Sequence, residues 1–285
     1  MRPPRFDLMT IDEALAYGRA QLAHSPTPHL DARILLTHVR GQPYSYLLAH
    51  GEETLPAGQW AAYRQMVARA RQGEPIPYIT GQAPFFDFVL QLNPAVLIPR
   101  PETEELVTQI VQYGQTLSAP RIVDVGTGSG CIAIALARQL PQAHLEAVDV
   151  SAPALAVARA NARRLAPGRI RFYQGDLLQP ISTAPDIIAA NLPYISEREW
   201  TRLDDRVKLH EPALALRGGA GGLDLIRRLL QQASDKLRPG GALFLEIGWQ
   251  QGETAARLAR AHFPGAAVQC LPDLAGRDRI LRVKT

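Results

Sequence analysis

The sequence predicts an α/β fold: a doubly wound, mostly parallel seven-stranded sheet closed by a terminal antiparallel hairpin, behind a small N-terminal helical domain. Three observations carry that expectation. From Arg121 onward, short apolar runs alternate with amphipathic helical stretches, the pattern of a parallel sheet covered on both faces. A glycine-rich turn, Gly126-Thr127-Gly128-Ser129-Gly130, follows the first of these runs and opens a helix. Ahead of Pro75 the periodicity is helical throughout.

The helical part begins at Thr10-Ile11-Asp12-Glu13, where Thr10 can cap a helix and Glu13 can reach back to its backbone amide. Ile11, Ala14, Leu15 and Leu22 then share one face, with Gly18 a gap in the stripe. Further helices are expected at Leu30 to Val39, around Tyr44 to Ala49, and at Ala57 to Arg71. Between Pro75 and Pro101 the texture changes. Tyr78-Ile79-Thr80-Gly81 and Phe85-Phe86-Asp87-Phe88-Val89-Leu90 are aromatic and β-branched, which suits strands and a hairpin.

Strands then follow at Ile122 to Gly126, Leu145 to Val150, Ile170 to Gln174, Asp186 to Asn191 and Ala242 to Ile247. Helices are expected from about Gly130, from Ala152, at Leu223 to Leu237 and at Gln251 to Phe263. Ala267 to Leu271, a turn at Ala275-Gly276 and Ile280 to Val283 make the closing hairpin. The expected division is therefore 1–74 helical, 75–101 a β-hairpin linker and 102–285 the α/β domain.

Composition narrows the class. The 285 residues are 46% hydrophobic and 20% charged, which excludes a disordered chain and allows a sizeable core. Cys131 and Cys270 are too few for a disulfide framework or a zinc knuckle, so both read as packing residues in a reducing compartment. Met1 to Asp7 lacks a secretory apolar core, and no apolar run approaches the length of about 18 residues that spans a bilayer. A cytoplasmic protein with no membrane partner is expected. The seven histidines show no HxxxH or HExxH spacing, so no metal is expected.

The net charge of +4 comes from 31 basic and 27 acidic residues scattered along the chain. Through residue 75 there are eight arginines against seven acids, no electrostatic funnel for nucleic acid.

Asp124-Val125 followed by the glycine turn ends a strand and starts a helix, so the backbone can turn sharply and approach a ligand. The third glycine, Gly130, comes one residue earlier than a dinucleotide fingerprint requires. That spacing favours a nucleoside-type cofactor over a pyrophosphate and disfavours an NAD-dependent dehydrogenase. Asp149 closes the next strand 23 residues after Gly126, where an acid can bind both hydroxyls of a ribose. Asp176 follows the third strand and can accept from an adenine amine, with Leu177 beside the ring. Either acid alone reads more simply as a cap of a helix or turn; their joint placement at successive strand ends favours a shared crevice.

Asn191-Leu192-Pro193-Tyr194 ends the fourth strand beside that crevice. The Asn191 side-chain carbonyl and the Pro193 backbone carbonyl can each accept one N–H of a substrate NH2 group, fixing its nitrogen toward an electrophile. Tyr194 can stack on a planar amide or base. Glu102 and Glu104 read as acids at a helix start near the cofactor.

Together, Asp124 to Gly130 and Asn191 to Tyr194 resemble a class I S-adenosylmethionine-dependent methyltransferase acting on a planar NH2 group. Narrower motifs are Pro77 to Gly81, Ile98 to Glu104, Glu211-Pro212, Gly221 to Asp224, Glu246-Ile247-Gly248 and Asp273 to Arg279. With these, nearly the whole chain resembles the PrmC/HemK family of protein-(glutamine-N5) methyltransferases of peptide chain release factors. The resemblance implies S-adenosylmethionine as cofactor, with Gly126, Thr127, Gly128, Ser129 and Gly130 lining its methionine part. Asp149 would hold the ribose, Asp176 and Leu177 the adenine, and Asn191, Leu192, Pro193 and Tyr194 the glutamine of a Gly-Gly-Gln motif. Leu192 departs from the proline commonest at that position.

A monomer with no direct nucleic-acid substrate is expected, and the helical domain, whose composition suits folding and not cofactor binding, is expected to grip the release factor. The rivals are a nucleic-acid amino methyltransferase, which would want a broad basic face, and a non-catalytic binding module, against which the intact Asn191 to Tyr194 speaks. Deleting residues 1 to about 72 should abolish methylation of intact release factor while preserving cofactor binding; unchanged turnover would refute the recognition role.

Overall fold

A computed structural model describes residues 9–285, so the opening stretch from Met1 to Asp7 lies outside the described residues. The chain divides into two compact units, the first ending at Gly81 and the second running from Gln82 to Thr285.

The first unit is helical: α1 (Ile11–Gln21), α2 (Pro28–Arg40), α3 (Tyr44–Ala49), α4 (Ala57–Arg71) and α5 (Ile76–Thr80). Its start is the expected capping box. Thr10 Oγ1 accepts from Glu13 N at 3.2 Å, and Glu13 Oε2 accepts from Thr10 N at 2.9 Å. Ile11, Leu22, Leu35, Leu47 and Val67 close the core around a fully buried Tyr63. The gap that Gly18 leaves in the α1 stripe is where Tyr63 sits. A Cβ at Gly18 would fall 2.0 Å from Tyr63 Oη and 2.9 Å from Ala32 Cβ. The phenol donates to Ala32 O at 3.2 Å, and burial pushes its pKa up.

The strand expected at Tyr78 to Gly81 is instead the short helix α5. Proline in its first turn presets φ, Gly81 ends it at φ +69°, and Thr80 Oγ1 donates back to Ile76 O at 3.0 Å. These local devices override the β propensity of Tyr78, Ile79 and Thr80.

The second unit opens with the hairpin β1 (Gln82–Phe85) and β2 (Phe88–Gln91), then α6 (Pro101–Gly114) and β3 (Arg121–Val125). Next come α7 (Cys131–Gln139), β4 (His144–Asp149), α8 (Ala152–Leu165), β5 (Ile170–Gln174) and β6 (Ile187–Asn191). Two short helices, α9 (Glu197–Arg202) and α10 (Asp205–His210), precede α11 (Asp224–Lys236) and β7 (Ala242–Glu246). The end is α12 (Gly252–His262), β8 (Ala267–Pro272) and β9 (Asp278–Lys284). α9 and α10 fall between Asn191 and Leu223, a stretch for which the sequence pattern predicts no helix; each is started by a side-chain cap, Ser196 and Asp204.

The seven strands lie in the order β5-β4-β3-β6-β7-β9-β8. The first five are parallel, and β9 pairs antiparallel with both β7 and β8, the expected closing hairpin. All five residues of β7 are buried, as a central strand covered on both faces requires. The order reverses between β3 and β6, and at such a switch point the carboxyl ends leave a crevice.

Replacing Gly18 by Ala gains about 1 kcal/mol of helix propensity. Forcing a methyl into the contact with Tyr63 costs about 1–3 kcal/mol. Gly18→Ala should therefore lower the urea midpoint; a raised midpoint would contradict this packing.

Candidate active site

The glycine turn between β3 and α7 forms one wall of a cavity of about 490 Å³. Gly126, Gly128 and Gly130 have φ of +75°, +54° and +84°, a region that side chains with a Cβ seldom adopt. The amides of Gly126 and Thr127 both donate to Val148 O, at 2.8 and 3.0 Å, which ties the turn to the end of β4. Behind it, the buried Asn161 of α8 donates to Ser129 O at 3.0 Å and to Gln91 O at 2.9 Å, and accepts from Gln91 N at 2.8 Å. One side chain thus holds the turn and hairpin in register.

The structure brings the predicted residues together. Gly126, Thr127, Gly128, Ser129, Asp149, Asp176, Leu177, Asn191, Leu192 and Pro193 all line the cavity, whereas Gly130 and Tyr194 stand outside its lining. A Cβ at Gly130 would meet Ala158 at 3.3 Å, so that glycine serves close packing against α8. Asp149 accepts from Gly128 N through Oδ2 and from Ser151 N through Oδ1, each at 2.9 Å. Asp176 forms an ion pair with Arg228 of α11. Leu177 lies in the left-handed region at φ +52°, a conformation that costs a non-glycine residue on the order of 1 kcal/mol or more.

Asp124 sits beneath the turn, fully buried. Its Oδ2 accepts from Thr127 Oγ1 at 2.6 Å and Ala133 N at 3.2 Å, while Oδ1 makes no hydrogen bond. Burial pushes its pKa up to about 7. A glycine cradle over a buried carboxylate with an unsatisfied oxygen, with acids at the ends of the next two strands, fits a cationic nucleoside such as S-adenosylmethionine.

Asn191 ends β6, between the glycine turn at the end of β3 and Glu246 at the end of β7. Asn191 and Glu246 are direct partners in the β6–β7 register. Its Nδ2 donates to Thr103 Oγ1 at 3.1 Å, and Thr103 Oγ1 donates to Glu246 Oε2 at 2.7 Å. No protein donor reaches Asn191 Oδ1 among the described residues. Thr103 and Glu246 are 2% and 1% exposed. Burial drives the Glu246 carboxyl up to about 7, against the Thr103 hydrogen bond and the charge of Arg279. Tyr194 Oη stands 3.5 Å from Glu246 Oε1, and burial, with the Glu246 charge behind it, pushes the phenol up to about 12.

Leu192 packs over the glycine turn: a Cβ at Gly126 would come 3.0 Å from Leu192 Cδ2. The departure from proline thus fills space against the cradle. The Pro193 carbonyl oxygen faces Gly218, where a Cβ would fall 2.5 Å from it, and Tyr194 O accepts from Gln251 Nε2 at 2.8 Å.

Sequence reasoning assigned no role to Thr103 or Glu246. The available signal was an acid closing the otherwise wholly apolar run Ala242-Leu243-Phe244-Leu245. Glu104 accepts from Phe86 N at 2.7 Å and so pins the hairpin turn. Burial pushes the Cys131 thiol at the cavity wall up to about 12, leaving it no thiolate character near neutral pH. Among the described residues no three His, Cys, Asp or Glu side chains cluster as metal ligands, and no helix is long and apolar enough to cross a membrane.

The chain matches two families in succession, the PrmC N-terminal domain over residues 13–81 and the methyltransferase small domain over residues 103–207. The release factor glutamine methyltransferase of Bordetella pertussis is 42% identical over 261 residues, 91% of this chain and 96% of that one. The enzyme of the same name from Koribacter versatilis is 37% identical over 277 residues, 96% of this chain and 98% of that one. This chain belongs to the release factor glutamine methyltransferase family. A solved methyltransferase structure from Pyrococcus furiosus aligns with a TM-score of 0.52 at 18% identity, over 78% of this chain and 98% of that one, a likeness of fold. Relatedness to the release factor glutamine methyltransferases spans both units, so the helical unit belongs to the family as fully as the sheet does.

Proposed function

We propose that this chain transfers a methyl group from S-adenosylmethionine to the side-chain nitrogen of a glutamine in a peptide chain release factor, the glutamine of its Gly-Gly-Gln motif. The observation that carries the reading is the state of the Asn191 amide. Its NH2 is spent on Thr103, and its oxygen is left without a protein donor at the lip of the glycine-lined cavity. The full-length relatives named release factor glutamine methyltransferases support it.

A carboxamide nitrogen is a weak nucleophile because its lone pair is delocalised into the carbonyl. The protein's contribution is therefore to position it. Asn191 Oδ1 takes one N–H, and the Pro193 backbone carbonyl takes the other. Two acceptors on one nitrogen favour a more pyramidal geometry and stabilise the positive charge that develops on it during transfer. S-adenosylmethionine supplies the electrophilic methyl when bound. Asp149 would hold the ribose hydroxyls, and Asp176 and Leu177 would flank the adenine. Leu192 and Tyr194 exclude water from the reacting nitrogen, which would otherwise be solvated and misdirected. No general base is needed, since the methylated nitrogen is acidic enough to lose its proton to water. The helical unit would grip the release factor.

Incubation with methyl-labelled cofactor and release factor, RNA or DNA in separate tubes, followed by peptide mapping, tests the assignment. Label should reside on one glutamine, and label confined to nucleic acid would overturn it. Asn191→Ala should lower kcat by about 100-fold or more while the cofactor dissociation constant stays within about twofold. Wild-type turnover in that variant would eliminate the acceptor role.

A further inference from the structure

We infer that Glu246, acting through Thr103, is a positioning residue that fixes which end of the Asn191 amide faces the substrate. The inference rests on the reading of Asn191 as the acceptor of the glutamine N–H, and it follows from the donor and acceptor capacity of three side chains in a row.

An ionised carboxylate only accepts hydrogen bonds. Glu246 Oε2, 2.7 Å from Thr103 Oγ1, therefore claims the single hydroxyl proton of Thr103. With that proton spent, the Thr103 oxygen can only accept from its next neighbour, Asn191, at 3.1 Å. The amide must then offer its NH2 to Thr103 and turn Oδ1 outward. A buried anion thus dictates the polarity of an atom two hydrogen bonds away. The two ends of an Asn side chain are nearly the same shape, so packing alone discriminates weakly between them; this chain of bonds supplies the discrimination.

Protonation reverses the logic. A neutral Glu246 can donate to Thr103, whose hydroxyl hydrogen then turns toward Asn191 and selects the flipped amide. Asn191 would present NH2 to an incoming NH2, two donors facing each other, and the substrate nitrogen loses its acceptor.

The groups around Glu246 set where this happens. Thr103 and the acid Glu102 come from α6, and Tyr194 from the turn after β6. Cys131 comes from the start of α7, and Arg279 from β9, its charge shared with Asp273 at 3.3 Å. Tyr194 and Cys131 both stay protonated at neutral pH, so neither adds charge. Desolvation, the largest influence, and Glu102 raise the carboxyl, and the Thr103 bond, Arg279 and the Tyr194 phenol lower it, leaving it at about 7. The competent, ionised form is populated above that value and lost as pH falls through it.

The test measures methyl transfer to purified release factor against pH, with two binding readouts. These are the dissociation constant of S-adenosylmethionine and that of a Gly-Gly-Gln peptide in the presence of S-adenosylhomocysteine. Glu246→Gln can donate from its own NH2 to Thr103 and stabilise the flipped amide. It should lower kcat by about tenfold or more, weaken peptide binding, remove the acidic limb near pH 7 and leave cofactor affinity within about twofold. Thr103→Val breaks the chain while keeping the Glu246 side chain in place and should lose as much, while Thr103→Ser restores most of it. Wild-type kcat in Thr103→Val overturns the inference whatever Glu246→Gln does, and so does an acidic limb that persists unchanged in Glu246→Gln. Asn191→Ala in the same series separates the two claims. If it is active, the acceptor reading itself fails; if it is inactive while Thr103→Val is fully active, only the role of Glu246 falls.

Discussion

The position of β6 between β3 and β7 is the constraint on which the site depends. Parallel pairing places Val125 beside Ala190 and Asn191 beside Glu246, so three strand ends deliver a glycine turn, an amide and a buried acid to one line. None of these groups is near another in sequence. Their juxtaposition comes from a strand order that reverses between β3 and β6, where a parallel sheet opens a crevice at its carboxyl edge. The apolar faces of the central strands fix the register, because a slip of one residue would turn Asn191 and Glu246 to the opposite faces.

Around that line the protein keeps two carboxylates in surroundings that disfavour their charge. Asp124 and Glu246 are both buried and both driven up to about 7 by desolvation. Ionised carboxylates in such places weaken the fold as pH rises from their unfolded range through 7, since the native state holds the proton more tightly than the unfolded chain does. A purely structural design would place apolar residues here. Asp124 lies under the cradle and Glu246 behind the amide, so the cost falls at the two places the proposed function uses, beneath the cofactor cradle and behind the acceptor amide.

How much of this could be read from the chain depends on the range of the interaction. The glycine turn, Asp149 and the Asn191 to Tyr194 segment were legible because each is a local pattern at a strand end, and the structure sets most of their side chains around one cavity. The capping box at Thr10 was legible for the same reason. Tyr78 to Gly81 misled, because β-branched and aromatic composition outweighs in a short window the proline and glycine that close a helical turn. Thr103 and Glu246 were invisible as a pair, 143 residues apart and joined only by the fold. Asp176 likewise shows its partner Arg228 only once α11 has been packed beside the sheet.

A crystal structure with S-adenosylhomocysteine and a glutamine-bearing release factor peptide tests the central claim most directly. The account places the glutamine nitrogen within hydrogen-bond distance of Asn191 Oδ1, facing the sulfur, with Asn191 Nδ2 still on Thr103. An Asn191 side chain turned away from the sulfur, with no room beside it for a glutamine, would contradict it.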